Sequence, residues 1–245
     1  MKTAYSEAGG IGGDMLELNG FYNMDCMDGM RQFPDKFFDL AIVDPPYGIG
    51  IDGGIGGGVL AQKSSFVKKN WDNDAPKKEY FNELFRVSKN QIIWGANHFI
   101  ERINKNSSCW IVWDKDNGKN NFADCELAWT SFKTAVRKFT YRWQGMLQGN
   151  MKNKEIRIHP TQKPVALYTW LLNNYAKKGD KILDTHVGSA SSLIACHKLG
   201  FQYVGFEIDE DYFKAATERL EAVKSQVSLF DEPEPTEKWE QDKII

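Results

Sequence analysis

The sequence predicts an α/β protein built around parallel strands, and three observations carry that expectation. Short apolar runs without strict alternation, FFDLAIV from Phe37 to Val43 and CWIVW from Cys109 to Trp113, suit strands covered on both faces. Helical patterns separate such runs, from Lys77 to Val87 and from Pro164 to Tyr175. Residues 181–207 then read as strand, tight loop, helix and strand, which is a βαβ unit. At 245 residues the chain sits near the upper end of what one hydrophobic core supports. One domain over 1–225 is therefore expected, followed by an acidic, proline-bearing tail at 226–245.

Taken in order, the Phe37 to Val43 strand ends at Asp44-Pro45-Pro46-Tyr47-Gly48, where two prolines remove ladder donors. The stretch after it, GIDGGIGGG followed by Lys63, Lys68, Lys69 and Trp71, is too glycine-rich and polar for a packed element. A mobile loop is expected over 50–78. The helix to Val87 precedes a buried strand at Gln91 to Trp94 and the strand at Cys109 to Trp113. Residues 114–154 are mixed, with lysines and arginines among Trp129, Phe132, Phe139, Tyr141 and Trp143. The 164–175 helix carries proline in its first turn. Lys181 to Leu183 is a strand, Asp184 to Ser189 its loop, Ala190 to Leu199 a helix closed by Gly200, and Gln202 to Phe206 a strand ending in Glu207. From Asp211 to Val223 an amphipathic helix places Tyr212, Phe213, Ala216, Leu220 and Val223 three or four apart.

Composition excludes several function classes. Lys plus Arg number 31 against 33 for Asp plus Glu, a net charge of −2, so any nucleic-acid contact must come from local clusters. The cysteines Cys26, Cys109, Cys125 and Cys196 form no C-x-x-C pair, and the histidines lack H-E-x-x-H spacing. Reduced thiols and no metal site are expected. No apolar run reaches the roughly 18 residues that span a bilayer, and no leader pattern opens the chain. The expectation is a cytoplasmic protein without membrane contact.

Two places carry chemistry. Glu207 lies 19 residues after Gly188 (207 − 188), close to the spacing at which an acidic residue takes ribose hydroxyls in such a unit. The full G-x-G-x-x-G is absent, which favours a ligand with ribose but no pyrophosphate. Plain helix–sheet packing is the alternative reading of the small residues there. The second place is the Asp44 loop. An exocyclic amino group on a nucleobase is a poor nucleophile because its lone pair is delocalised into the ring. If the Asp44 carboxylate and the Pro45 carbonyl accepted its two hydrogens, a pyramidal nitrogen would be favoured. Pro45 and Pro46 would hold the backbone, and Tyr47 would offer an aromatic face for stacking. The bland alternative is a proline turn capped by Asp44.

These motifs, with Asn23-Met24-Asp25-Cys26, WGANHF at 94–99 and HPTQKP at 159–164, resemble the amino-methylating DNA methyltransferases that use S-adenosylmethionine, and among them the adenine-N6 group with D-P-P-Y. The resemblance spans roughly residues 20–225. Because the catalytic loop precedes the cofactor loop, it implies the circularly permuted β-type order. The implied fold is a doubly wound, mostly parallel Rossmann-like sheet with one reversed strand. It makes Asp44, Pro45, Pro46 and Tyr47 the catalytic loop, and puts Asp184, His186, Gly188, Ser189 and Ser191 around the cofactor's methionine and ribose. It sets Glu207 on the ribose hydroxyls, Lys163 near the methionine carboxylate with Thr161 beside it, and Asp25 and Cys26 along the adenine. The chain departs from the family loop D-P-F-x-G-S-G-T-T: Thr185-His186 replaces Pro-Phe, and Ala190 replaces a glycine.

Double-stranded DNA is the implied partner, read by the 50–78 loop, the 114–154 segment or both. Cytosine-N4 methylation is the alternative on the same chemistry, although that group more often carries Ser in place of Asp44. RNA and protein-glutamine methyltransferases resemble N-P-P-Y instead. A catalytically silent DNA-binding relative is a third reading. Residues 226–230, QVSLF, resemble the short peptide by which bacterial proteins engage the sliding clamp. Alternatively, Leu229 and Phe230 pin the tail to the domain. Oligomeric state, recognition sequence and the setting, whether restriction-modification, phage or cellular regulation, stay open at the level of sequence.

Overall fold

The computed structural model describes residues 15–50, 69, 72–118, 123–144 and 147–227. Most of the 50–78 loop, and Leu229 and Phe230 with the rest of the tail beyond Val227, lie outside the described residues.

Strands β1 (Gly20–Asn23), β2 (Phe38–Val43), β3 (Ser88–Trp94), β4 (Trp110–Asp114), β5 (Cys125–Thr130), β6 (Arg137–Thr140), β9 (Lys181–Asp184) and β10 (Gln202–Glu207) form one sheet in the order β1-β10-β9-β2-β3-β5-β4-β6. From β1 through β3 every pairing is parallel. Only β5 runs against its neighbours β3 and β4, and β6 returns parallel to β4. The mostly parallel sheet with one reversed strand is therefore present. Two further strands, β7 (Trp143–Gln144) and β8 (Leu147–Gln148), make a small separate hairpin.

The period-2 rule divides the core between the two faces. Leu40 and Ile42 of β2 point to the side covered by α4 (Val165–Tyr175), α5 (Ser191–Leu199) and α6 (Glu210–Val227). Ala41 and Val43 point to the other side, under α1 (Cys26–Arg31), α2 (Lys78–Val87) and the one-turn α3 (Ile100–Ile103). Burial on both faces is why β2 reads as a continuous apolar run. Pro164 stands just before α4, with extended backbone, and the carboxylate of Glu155 accepts the Val165 amide, one of the helix's orphan donors.

The mixed segment 114–154 is largely part of this sheet. Trp129, Phe139 and Trp143 are buried, and Phe132 packs against the core, so these aromatics fill the interior and are not surface wedges. Lys115, Lys138 and Arg142 pair with Glu126, Asp114 and Asp116. β5 and β6 use this apolar material to extend the sheet, so a DNA-reading role for 114–154 would rest on its exposed cations. Lys133, Lys152 and Lys154 remain exposed.

The order of strands positions the site. β2 and β9 are adjacent and parallel, yet the chain continues from β2 to β3 on one side and from β9 to β10 on the other. At such a switch point the loops part and open a crevice beyond the carboxyl ends of the strands. Asp44 directly follows β2 and Asp184 ends β9.

Candidate active site

A cavity of about 630 Å³ opens beside these strand ends, within the usual size of small-molecule sites. Asp25, Cys26, Pro46, His186 and Glu207 line it together with Met24, Tyr80, Thr185 and Ile208. Asp25 caps α1, accepting the Met27 amide at 2.7 Å, and this holds the Asp25-Cys26 corner against the opening. Burial and the neighbouring Asp25 push the Cys26 thiol up to about 12, so it contributes apolar surface and no thiolate. Glu207 accepts the Gly188 amide at 2.8 Å and the Asp209 amide at 2.9 Å, and burial raises its carboxyl above the usual range. An acidic acceptor together with the apolar surface of Met24, Cys26, Pro46 and Ile208 on the same wall suits a diol joined to a planar base. The residues present fit a nucleoside-bearing cofactor.

Asp184, Gly188, Ser189, Ser191 and Thr161 stand behind this wall and are not among the lining residues. Asp184 accepts the His186 amide at 3.0 Å and the Ser192 hydroxyl, so its carboxylate shapes its own loop. Burial raises it to about 7 against the pull of those hydrogen bonds. Gly188 has φ +54° and Ala190 φ +61°; the second is a left-handed conformation that strains an alanine. Ser189 and Ser191 share a hydrogen bond, and Arg219 ties the Ser189 carbonyl and the Ser191 hydroxyl to Glu155. The Thr161 hydroxyl and amide converge on Nδ1 of His159. The wall that Pro-Phe would supply is partly replaced: the His186 ring stands edge-on to Tyr80 at 5.4 Å, and Tyr80 bonds Thr185 at 2.6 Å. Burial keeps His186 neutral, its pKa lowered to about 4.

At the β2 end, Asp72 accepts the amides of Tyr47 and Gly48 at 2.7 and 2.9 Å and fixes the proline loop. The Tyr47 ring stacks on His98 with centroids 5.1 Å apart. Gly95, at φ +66°, is required there, because a Cβ would sit 2.0 Å from the Tyr47 ring. The Trp94 to Phe99 motif is thus a seat for Tyr47.

Tyr47 donates its hydroxyl to Asp44 at 2.8 Å. The other Asp44 oxygen pairs with Lys163, which is 4% exposed. Lys163 also meets Glu126 of β5 at 3.1 Å, and Glu126 pairs on its second oxygen with Lys115. Burial opposes ionisation of Glu126, but Lys163 and Lys115 hold its carboxyl at about 2. Burial likewise lifts the Asp44 carboxyl above the ordinary range against the attraction of Lys163. Lys163, expected near the methionine carboxylate, is thus brought to the Asp44 loop, where two carboxylates compensate its buried charge. Sequence reasoning missed Glu126, Asp72 and His98. The WGANHF motif was a signal for His98, and an acidic residue inside an otherwise apolar strand was one for Glu126.

The sheet, its switch point and the crevice make a Rossmann-like α/β fold. The N6_N4_Mtase family, described as DNA methylase, matches residues 114–218. The Type II methyltransferase M.HinfI of Haemophilus influenzae is 26% identical over 84% of this chain and 69% of its own length. M2.MboI of Moraxella bovis is 27% identical over 82% of this chain and 87% of its own. Among solved structures, M1.HpyAVI with S-adenosylmethionine superposes with a TM-score of 0.51 at 21% identity, over 81% of this chain and 98% of the other. The cytosine-N4-specific PvuII methyltransferase gives 0.53 at 11% identity over 84% and 91%. These structures share the fold. Over these spans the chain is similar to DNA methyltransferases of the N6/N4 family.

Proposed function

We propose that the protein transfers a methyl group from S-adenosylmethionine to the exocyclic N6 of an adenine in duplex DNA at specific sites. When bound, the cofactor supplies an electrophilic methyl on its sulfonium, which departs as a neutral thioether. Glu207 takes the ribose hydroxyls, and the Met24 to Met27 corner with Pro46 and Ile208 holds the cofactor's adenine. The Asp44 carboxylate and the Pro45 carbonyl accept the hydrogens of the target amino group, so that its lone pair is aimed at the methyl. Tyr47 fixes the Asp44 rotamer from one side. The methylated nitrogen carries a positive charge until its proton leaves, and Asp44 stabilises that charge. Because the loop lies at a crevice beyond the carboxyl ends of the central strands, the base must leave the stack to reach it.

One observation carries this reading: Asp44, braced by Pro45 and Pro46, stands at the switch point, and Pro46 lines the same cavity as Glu207. Asp at position 44 is what favours adenine over cytosine. A protein with Type II methyltransferase relatives suits a restriction-modification setting, and the QVSLF segment at 226–230 is carried as a clamp-docking proposal. Single-molecule sequencing of plasmid DNA from cells that express the chain tests the function by giving base and site together. N6-methyladenine at one recurrent sequence is expected; N4-methylcytosine would move the protein to the cytosine alternative.

A further inference from the structure

The cluster beneath the Asp44 loop holds more charge than an amino-group acceptor requires. Lys115, Glu126, Lys163 and Asp44 alternate in sign along a single chain of contacts, from β4's end across β5 to the segment before α4 and on to β2's end. Both Asp44 oxygens are engaged, one by Tyr47 and one by Lys163. Lone pairs remain on both oxygens, but an incoming amino group meets a carboxylate whose charge the Lys163 ammonium already holds, and it reaches the Lys163-side oxygen in full only as that ammonium gives way. An ammonium that simply withdrew would be stranded, since removing one partner of a buried pair leaves an uncompensated charge. Glu126 removes that difficulty, because it already lies 3.1 Å from Lys163, and the Tyr47 hydroxyl lies 3.2 Å from the same nitrogen.

We propose that Glu126 is a positioning residue that receives Lys163 when the target amino group takes its place on Asp44. Lys115 sets how strongly Glu126 draws that lysine. This rests on the reading of Asp44 as the amino-group acceptor and assigns the counter-ions that make the exchange feasible. Among the described residues, other titratable groups facing the cluster are Tyr47, Tyr80 of α2, Tyr168 of α4, Asp184 of β9 and His159; burial lowers His159 to about 3, so none of them supplies a positive charge that could replace Lys163.

The test is the pH dependence of kcat/KM for DNA, whose acid limb reports the carboxylate that must be ionised. In Glu126→Gln the loss of a nearby negative charge leaves Lys163 on Asp44, so the limb moves down by about one unit or more and kcat falls about tenfold. Lys115→Met moves the limb the other way, because an unshared Glu126 draws Lys163 further from Asp44. Glu126→Asp keeps the charge and stays near the parent limb. A second readout needs no turnover: binding of duplexes whose target base has or lacks its exocyclic amino group, without cofactor. The preference for the amino-bearing duplex shrinks in Glu126→Gln. Opposite limb shifts with a reduced preference support the proposal. Should Glu126→Gln fail to fold, the upward shift in Lys115→Met decides. An unmoved limb in Lys115→Met, or in a folded Glu126→Gln with kcat within threefold of the parent, overturns the proposal and leaves the methyltransferase reading standing. A parent chain that modifies no DNA overturns both.

Discussion

Two aspartates stand at the carboxyl ends of adjacent parallel strands, and the fold uses them differently. Asp184 ends β9 and Asp44 follows β2; burial raises both carboxyls. Asp184 accepts the His186 amide of its own loop and the Ser192 hydroxyl of α5, and burial raises its carboxyl to about 7. Asp44 is held by a lysine that a second carboxylate shares. Hydrogen bonds from a loop make an aspartate a structural brace, whereas a cation that can be exchanged keeps one ionised and available. Equivalent places at a switch point therefore do not imply equivalent work.

The largest effect separates the two on chemistry. Asp44→Ala should lower methyl transfer by about 10²-fold or more while cofactor affinity persists, as expected when a group that stabilises developing charge is removed. Turnover within tenfold of the parent would break the distinction. Asp184→Ala should instead cost about 1–3 kcal/mol of stability by leaving the His186 amide and the Ser192 hydroxyl without an acceptor. Urea denaturation measures it, and an unchanged midpoint would show that the loop does not need its brace.

The cofactor side sharpens the contrast. Glu207→Ala should weaken S-adenosylmethionine binding by about 1–3 kcal/mol in calorimetry, the size of a hydrogen bond to a charged group. An unchanged affinity would misplace the ribose.

A pH series tests the neutral histidine on the same wall. The folded pKa of His186 is lowered to about 4 from 6.5, so the unfolded chain binds more protons between those values. Its contribution is present above pH 6.5 and is lost as pH falls toward 4. Asp184 works in the opposite direction, since its raised pKa favours the folded state below 3.8 and loses that advantage as pH climbs to about 7. Comparing His186→Gln with the parent isolates the histidine: the parent should lose about 2 kcal/mol more on going from pH 6.5 to 4.5. Parallel curves would contradict a neutral, buried His186.

The smallest effect concerns Ala190, the left-handed residue before α5. Ala190→Gly should relieve strain and raise the melting temperature slightly, by less than about 1 kcal/mol in stability terms. A drop would mean that the methyl's packing outweighs its backbone strain.

The same contrast explains what could be read from the sequence. β2, β9 and β10, with the loops after them, were legible because double-sided burial gives uninterrupted apolar runs, and because small residues and Glu207 mark the ligand end. β1 was not, being a four-residue edge strand of half-buried and exposed residues. β5 was hidden because a reversed strand carrying Cys125 and Glu126 at its site end has no clean period. Helix α6 runs to Val227, a few residues past the expected end, since its polar last turn carries no apolar signal. The partnership of Lys163 with Asp44 and Glu126 depends on three distant segments meeting, which no local spacing encodes. Asp25, Cys26, His186 and Glu207 were found on the cavity wall, whereas Asp184 was found beneath it for the reason given above.

The central claim is that Asp44 presents an exocyclic amino group for direct methylation. Nucleoside analysis of duplex DNA treated with the purified chain and labelled S-adenosylmethionine, alongside Asp44→Ala, tests it most directly. The account predicts N6-methyladenine with the parent and about 10²-fold less, or lower still, with the variant. Label found in 5-methylcytosine, or equal labelling of adenine by both proteins, would contradict it.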